Sequence, residues 1–424
     1  MATFPTEILF MVFSYLSPRD LVRCHRVSRH WRATALSDSL LYRILDLTTA
    51  RKPLTIENVK ALVRYAGGDI KGLKMFVPTS TFSPGCFQMH LGRDPPQYKN
   101  HRNMHLEPLF RNLEDLEIVH TSGSEYDDSI FRLPSFPANT LRRFVVHGID
   151  IHAEQIIDLC RAAPHLEELS CGVDFSRAMP LMAHFPSVKN LQIRLKGGMT
   201  PDSIMFDSIM FDSISFWDFF PNVEEFTFSQ ATPPSEPSLE MKWSHLKKLT
   251  LRNIHTNIVI IRSNELTTLE LSDLPHLILF GGIAQPNLQH LCLLNLRNLN
   301  VDKYLVPLHN YASTLESLTF SSPQFEARHI EPVLPDAIHL QSLNINNLRY
   351  TSDATLQFLH HNKNLQHLSV DHCTGITGHG IIKLIENLCR KKGGKLTTIS
   401  IRGNDSIRRQ TVDWARAVGV EVSI

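Results

Sequence analysis

The sequence lacks most of the features that would assign a chemistry directly. Its seven cysteines are scattered and never form a CxxC pair, which argues against a disulfide framework and for a reducing compartment. The formal net charge of +1 gives no case for a nucleic-acid partner or an anionic membrane surface. No apolar run reaches the ~18 residues of a membrane-spanning helix. The run from Ile8 to Leu16 has no basic flank before it, so it is not a signal peptide. We therefore expect a soluble intracellular protein that is cytoplasmic, nuclear or both.

Catalytic and cofactor motifs are also missing. The sequence contains no P-loop, no Rossmann glycine fingerprint, no nucleophile elbow and no HExxH. We therefore expect no enzymatic activity and no cofactor. One arrangement stays open: Cys86, His90, His101 and His105 are spaced C-x3-H-x10-H-x3-H and offer four possible zinc ligands. This is not a standard finger in a chain with 22 histidines, so a polar loop is the preferred interpretation and no metal site is predicted.

The first 45 residues predict three short helices. Pro5 suits the first turn of a helix, where its missing N–H costs nothing. At helical spacing, one face of this helix is predicted to carry Ile8, Leu9, Val12, Phe13 and Leu16. Ser17 and Asp20 resemble a capping box with Pro18 at the first helical position, and a third helix is expected from Ser28. Three helices of this length make a poor core, so part of their apolar surface is predicted to need a partner.

This segment resembles an F-box, the module that docks onto the Skp adaptor of cullin-RING ubiquitin ligases. The resemblance rests on Phe4-Pro5-Thr6-Glu7-Ile8-Leu9, Phe13-Ser14-Tyr15-Leu16-Ser17-Pro18-Arg19-Asp20-Leu21 and Val27-Ser28-Arg29-His30-Trp31-Arg32. It covers residues 4–45 and departs from the usual pattern at Phe4 and at Leu41-Tyr42, where Leu and Trp are commoner. It implies that the adaptor-binding residues are Pro5, Ile8, Leu9, Phe13, Leu16, Pro18, Leu21, Val27 and Trp31. The alternative is an N-terminal three-helix cap on a larger domain.

From Leu113 onward, one pattern returns twelve times: an apolar residue, two polar, an apolar, a polar and an apolar residue. The copies begin at Leu113, Leu141, Leu166, Val188, Val223, Leu246, Leu266, Leu288, Leu315, Leu340, Leu365 and Leu396. Their average interval of about 26 residues lies within the range for leucine-rich repeats. The alternation at the fourth and sixth positions predicts a strand, and the intervening stretches are long enough for a turn and a helix.

Repeat units of this size bury an apolar face only by stacking on one another, which predicts a solenoid. The predicted fold class is therefore α/β: a three-helix F-box followed by a leucine-rich-repeat solenoid, a horseshoe with a parallel concave sheet and convex helices. The expected domains are 1–47 for the F-box, 48–105 for a linker and N-terminal solenoid region, and 106–424 for the solenoid with its C-terminal cap. The repeat that begins at Leu365 resembles the cysteine-containing repeats of many F-box proteins, and Cys373 is expected to be a buried thiol.

Several segments depart from the regular repeat. A five-residue motif occurs three times in tandem over 202–216 and predicts an expanded connecting segment. Pro233-Pro234 and Pro237 predict another loop. Leu73 to Val77 predicts a degenerate extra strand. The segment from Ser406 to Ile424 predicts a helix that ends at a glycine and then a closing edge strand, which together suit a terminal cap.

The resemblance implies a substrate receptor that performs no chemistry. The F-box binds the Skp adaptor and, through it, cullin and RING subunits, while the repeats capture an unknown protein substrate. The alternative is a non-catalytic leucine-rich-repeat scaffold that acts outside the ligase. Because the third and fifth positions of each strand alternate away from the core, they are expected to line the concave surface. The predicted substrate-binding residues there are His290, Ser317, Thr319, Ser342, Asn344, His367, Ser369, Thr398 and Ser400. A wetted sheet of strand-forming residues is the alternative for this face.

Overall fold

A computed structural model describes the chain over residues 4–16, 18–37, 41, 43–46, 63–64, 70–77, 111–120, 138–174, 184–195, 219–230, 236–281, 287–300, 308–322, 324–391 and 393–424. These residues divide into two compact units, Met1–Lys196 (unit 1) and Gly197–Ile424 (unit 2). The predictions for Cys86, His90, His101 and His105 and for the tandem segment 202–216 lie outside the described residues.

The N-terminal part of unit 1 contains three helices, α1 Thr6–Phe13, α2 Pro18–Cys24 and α3 Arg29–Ser37. Pro18 opens α2 as predicted, whereas Pro5 lies at the N-cap, one residue before α1, and not in its first turn. An N–H is not needed at either position. The start of α3 is capped by Ser28, whose hydroxyl accepts a hydrogen bond from the Trp31 N–H at 3.1 Å. The predicted starts of α2 at Pro18 and of α3 at Ser28 are therefore confirmed, while Ser17 of the predicted capping box lies outside the described residues.

The strands of unit 1 form a parallel sheet in chain order. They are β1 Ile44–Asp46, β2 Gly72–Val77, β3 Asp115–His120, β4 Arg143–His152, β5 Glu168–Asp174 and β6 Asn190–Leu195, with α4 Ala153–Ala162 between β4 and β5. Equivalent positions of the pattern pair side by side, as in Leu73 with Leu116 and Leu116 with Phe144. Strand β2 confirms the predicted extra strand. Strand β1 was not predicted, because three residues are too few for alternation to be recognised.

Unit 2 carries further strands and short helices. The strands are β7 Glu225–Gln230, β8 Glu236–Met241, β9 Lys248–Arg252, β10 Thr256–Ile261, β11 Thr268–Ser272, β12 Leu279–Gly281, β13 His290–Leu294, β14 Ser317–Ser321, β15 Ser342–Asn344, β16 His367–Ser369, β17 Thr398–Ser400 and β18 Glu421–Ser423. The helices are α5 Leu308–Tyr311, α6 Ala327–Ile330, α7 Asp353–Gln357, α8 Gly378–Ile385 and α9 Arg409–Ala417. The larger sheet of unit 2 is parallel, with the order β7-β9-β11-β13-β14-β15-β16-β17-β18.

The return segments between 236 and 281 form a second parallel sheet, β12-β10-β8, where helices were predicted. The prediction of convex helices is therefore wrong for this stretch. Its repeats are short, since only 20 residues separate Leu246 from Leu266, and too few remain after the strand and turn for a stable helix. The return strand β10 is also rich in β-branched residues, which favour strands. Pro237 lies within β8 and not in the predicted loop, at the edge of this sheet, where a missing N–H is tolerated.

The predicted repeats have a common core and a common exit turn. The first residue of every copy, from Leu113 to Leu396, is at most 5% exposed. The eighth residue often has a left-handed backbone, with positive φ at Gly148, Asn253, Asp273, Asn295, Asn347, His372 and Gly403. Glycine, asparagine and aspartate tolerate this conformation best. The ninth residue then returns to the interior. Cys373 is one example, completely buried as predicted, with its thiol 3.1 Å from the Ile345 carbonyl.

The C-terminal segment closes the sheet of unit 2 as predicted. Helix α9 starts at Arg409, three residues later than expected, and ends before Gly419, whose φ is +88°. The N–H groups of Gly419 and Val420 donate to the carbonyls of Arg416 and Ala415, which is a Schellman motif. Strand β18 then lies at the edge of the sheet, and Arg416 donates to its Val422 carbonyl at 3.0 Å. The architecture is a mixed α/β fold with large parallel sheets, compatible with a solenoid.

Candidate functional site

The three N-terminal helices pack around a small apolar core. Leu9, Phe13 and Leu21 are between 0% and 2% exposed. The rings of Phe13 and Trp31 meet edge to face, with centroids 5.5 Å apart, and tie α1 to α3. Burial, and next the charge of Asp20, raises the pKa of the Cys24 thiol, so it stays protonated and unreactive at neutral pH.

The opposite side of α1 presents an exposed apolar stripe. Ile8, Met11, Val12 and Tyr15 are 40%, 56%, 44% and 85% exposed, and they follow one another at i, i+3, i+4 and i+7. Phe4, 59% exposed, extends the stripe by one turn. A short helix that is apolar on both faces buries only one of them in its own module, so the second face remains available to a partner.

The structure divides the nine predicted adaptor-binding residues into different environments. Pro5, Ile8 and Val27 are exposed, while Leu16 and Trp31 are half-buried. Leu9, Phe13 and Leu21 belong to the core, so they do not present a surface to an adaptor in this conformation. Pro18 opens α2, and its side chain lies outside the described set.

Sequence reasoning placed Leu9 and Phe13 on the same face of α1 as Ile8 and Val12, which the structure corrects. The error arose because every turn of α1 is apolar, so spacing alone cannot tell the packed face from the free one. Met11 and Tyr15 were missed for the same reason, although their spacing from Ile8 was a usable signal.

The open face of the unit 1 sheet carries a network of charged side chains. Arg143 lies 2.9 Å from the Asp115 carboxylate and 3.1 Å from that of Glu168, and Lys74 lies 2.7 Å from Glu117. Burial by itself would raise the pKa of Glu117. The hydrogen bond from Lys74 and the charges of Lys74 and Arg143 outweigh that effect and hold this pKa below its usual value. These groups neutralise one another across adjacent strands, which favours a structural role for them.

The open face of unit 2, meaning the third and fifth positions of its strands, brings the predicted substrate-binding residues together. They form two rows across β14 to β17: Ser317, Ser342, His367 and Thr398 in one, and Thr319, Asn344, Ser369 and Ser400 in the other. His290 continues the first row on β13 and is exposed. The register therefore places these residues side by side, while their role in binding stays a prediction.

Part of this polar face is occupied by hydrogen bonds between neighbouring repeats. Ser369 donates to the side-chain oxygen of Asn346 at 2.7 Å, and Ser400 donates to Asp371 Oδ1, also at 2.7 Å. The same two acceptors bind backbone N–H groups of the next repeat, those of Asp371 and Arg402. Asn346 and Asp371, at the seventh position of their repeats, were missed by sequence reasoning, because nothing in the pattern marks that position as a hydrogen-bond acceptor.

The described residues show no metal centre and no membrane segment. Within these ranges, no group of three or more His, Cys, Asp or Glu side chains is placed to hold a metal ion. In the same part of the chain, no helix has both the length and the apolar character needed to cross a bilayer. Cys292 lies half-buried on β13, where burial first and Glu270 second raise its pKa to about 11, so its thiol is protonated at neutral pH.

Comparisons with known proteins identify the N-terminal segment. A protein-family model described as F-box-like matches residues 1–48, which include α1 to α3 and strand β1. No curated protein matches the chain. Among solved structures, the chain is similar to one titled "Crystal structure of Rad7 and Elc1 complex in yeast", with 12% identity and a TM-score of 0.27. That match covers 61% of this chain and 80% of the other, and at this TM-score it supports no inference about function.

Proposed function

We propose that the protein is the substrate-recognition subunit of a Skp–cullin–F-box ubiquitin ligase. The F-box-like domain suggests binding to a Skp-type adaptor. The observation that carries the proposal is the exposed apolar stripe of α1 within that domain. A second apolar face on so short a helix exposes apolar side chains to water, which is unfavourable unless a partner covers them.

The repeats of the chain are proposed to be leucine-rich repeats that bind a protein substrate for ubiquitination and proteasomal degradation. The support is the return of a buried first residue and a strand at each copy of the pattern. In this role the protein performs no chemistry: it raises the concentration of its substrate near the catalytic subunits of the ligase. It acts in the cytoplasm, the nucleus or both.

The stripe has apolar surface left to bury against a partner. Full burial of a large apolar side chain contributes roughly 1.5–3 kcal/mol. Ile8 is already more than half buried and has about 1 kcal/mol left to gain, whereas Tyr15, 85% exposed, has about 2 kcal/mol. Loss of both corresponds to roughly a 100-fold weaker complex.

The test is a titration of purified Skp adaptor with full-length Ile8→Asp/Tyr15→Asp protein. Both residues lie on the exposed face, so we expect an unchanged melting temperature, a Kd raised about 100-fold and loss of cullin from the captured complex. The matched control is Ile278→Asp, since Ile278 is 48% exposed in unit 2. Leu9→Ala tests the assignment of the core and should lower the stability of the module itself.

Normal capture of adaptor and cullin by the folded double variant would refute the docking face. If the wild-type protein binds the adaptor but captures no cullin, that result would instead support the alternative of a scaffold outside the ligase.

A further inference from the structure

The turn between α2 and α3 and the start of α3 carry three exposed arginines without an acidic partner. Arg26 lies in the turn, and Arg29 and Arg32 lie on α3. Because Arg29 and Arg32 are three residues apart, they lie on the same side of the helix, one turn apart. Among the described residues, none of the three forms an ion pair, whereas Arg23 on α2 lies 2.7 Å from the Asp20 carboxylate. We call Arg26, Arg29 and Arg32 the arginine ridge.

Neighbouring carboxylates do not balance the charge of the ridge. In the described part of α1 to α3 the carboxylates are Glu7 and Asp20. Asp20 already has its partner on α2, and Glu7 forms no ion pair with a described residue. Asp38 follows α3 and lies outside the described residues. The positive charge also affects His25, since burial first and the charge of Arg32 second lower the pKa of its imidazole.

The stability of α3 does not account for Arg29 and Arg32. The N-terminus of a helix carries partial positive charge, so a cation in the first turn is unfavourable and an anion is favourable. Arg29 is the first residue of α3, Arg32 follows one turn later, and the first turn contains no acidic residue. Arg26 differs, because it follows the C-terminus of α2, where a cation is favourable. Two positive charges that their own helix disfavours are better explained by contact with another molecule.

Apolar side chains border the ridge and favour a protein as that molecule. Val27 is exposed beside Arg26, and Leu36 is exposed one turn beyond Arg32 on the same side of α3. Arginine next to apolar side chains is typical of protein–protein interfaces, whereas binding to nucleic-acid phosphates relies on basic groups alone. The ridge therefore fits a protein surface that combines acidic and apolar groups.

The ridge adjoins the proposed docking surface of α1. His30 follows Arg29, and its Nε2 lies 3.2 Å from the carbonyl oxygen of Phe4, the residue that extends the exposed stripe. Val27, in the same turn as Arg26, is itself one of the predicted adaptor-binding residues. A partner that covers the stripe therefore has the ridge beside it.

We propose that the arginine ridge binds an acidic patch on the Skp-type adaptor, beside the apolar contact made by the stripe of α1. This inference rests on the proposed function and names the chemistry of the partner surface. The guanidinium groups donate hydrogen bonds to carboxylates of the adaptor, which match the planar donor fork in two-point contacts. Charges at the border of an interface act mainly on the rate of association, because they attract the partner before contact.

The test is stopped-flow binding of purified Skp adaptor to the full-length protein at ionic strengths from about 0.05 to 0.5 M. We expect the association rate constant of the wild type to fall at least about tenfold over this range. Arg29→Glu/Arg32→Glu should lower the association rate constant about tenfold at low salt and flatten its dependence on salt. Ile8→Asp/Tyr15→Asp, on the apolar stripe, should instead raise the dissociation rate constant.

The matched control is Arg408→Glu/Arg409→Glu, an equal charge change at exposed positions in unit 2, which should change the association rate constant less than about twofold. Arg29→Glu/Arg32→Glu adds anions near a helix N-terminus, so this variant should melt no lower than the wild type. A lower melting temperature with an unchanged association rate would assign the ridge a structural role and overturn the proposal. Equal effects of the ridge and control variants, or tighter binding of the ridge to single-stranded DNA than to the adaptor, would overturn it as well.

The wild-type protein separates the two hypotheses. If it binds the adaptor at a rate that the ridge variant does not change, only the ridge is refuted and the proposed function stands. If it does not bind the adaptor, the proposed ligase role and the ridge both fail.

Discussion

Replacement of Asp371 by alanine tests whether the polar face of unit 2 is built into the fold. Asp371 Oδ1 accepts the Ser400 hydroxyl and the Arg402 N–H, each at 2.7 Å. Hydrogen bonds to charged groups contribute about 1.5–3 kcal/mol each. Because Asp371 is half-buried, water replaces part of this interaction, and we expect a net loss of about 2 kcal/mol on Asp371→Ala. For a unit of this size, this corresponds to a fall in melting temperature of about 4–8 °C.

The preceding repeat supplies the control. There Asn346 accepts the equivalent hydroxyl and N–H groups through a neutral amide oxygen, so Asp371→Asn retains both acceptor contacts and should cost less than about 1 kcal/mol. Thermal melts followed by circular dichroism measure the stability, and hydrogen exchange of the Arg402 amide reports the local contact. A melting temperature of Asp371→Ala within about 1 °C of the wild type, or equal losses for alanine and asparagine, would refute this reasoning.

Three further predictions concern other parts of the chain. The pKa of Glu117 is held below the usual value of a glutamate carboxyl, so its interactions stabilise the fold above that usual value and are lost as the pH falls through the lower folded pKa. Glu117→Gln should therefore lower the urea midpoint more at pH 7 than at pH 3, and an equal effect at both would contradict this. Gly380→Ala should destabilise the chain by about 1–2 kcal/mol. The added Cβ would displace the Asp353 carboxylate, which accepts hydrogen bonds from the N–H and the hydroxyl of Thr377. Alanine favours a helix by about 1 kcal/mol over glycine, which opposes this loss. Denaturant unfolding of Gly380→Ala and of the Asp353→Ala control should give similar losses. Deletion of 406–424 should expose β17, reduce solubility and broaden the unfolding transition, whereas an unchanged melting curve would mean that this segment is not a cap.

Much of the fold was predictable because its signal is local and repeated. The alternation of apolar residues from Leu113 to Leu396 specifies strands with one buried side, and every first position is buried as the pattern requires. The starts of α2 and α3 were predictable for a similar reason, since proline and serine act within one turn of their own helix. The F-box-like segment was recognised from the same local features, and the family match at residues 1–48 agrees with it.

The face of α1 that remains free was not predictable, because both of its faces are apolar and only packing against α2 and α3 decides which is covered. The second sheet was missed because the choice between helix and strand in a short return segment depends on the neighbouring repeats. Strand β10 forms where β8 and β12 lie beside it to complete its hydrogen bonds.

The sequence by itself determined where the strand of each repeat lies, where α2 and α3 begin and which residues at the exit turns tolerate a left-handed backbone, since each of these depends on sterics and hydrogen bonding within a few residues. Only the tertiary structure decided which polar groups are free for a partner. Ser369 and Ser400 look like available hydroxyls in the sequence, but stacking of the repeats places Asn346 and Asp371 2.7 Å from them. The physical reason is that a side chain's partners come from residues some 25 positions away, which the pattern of one repeat does not contain.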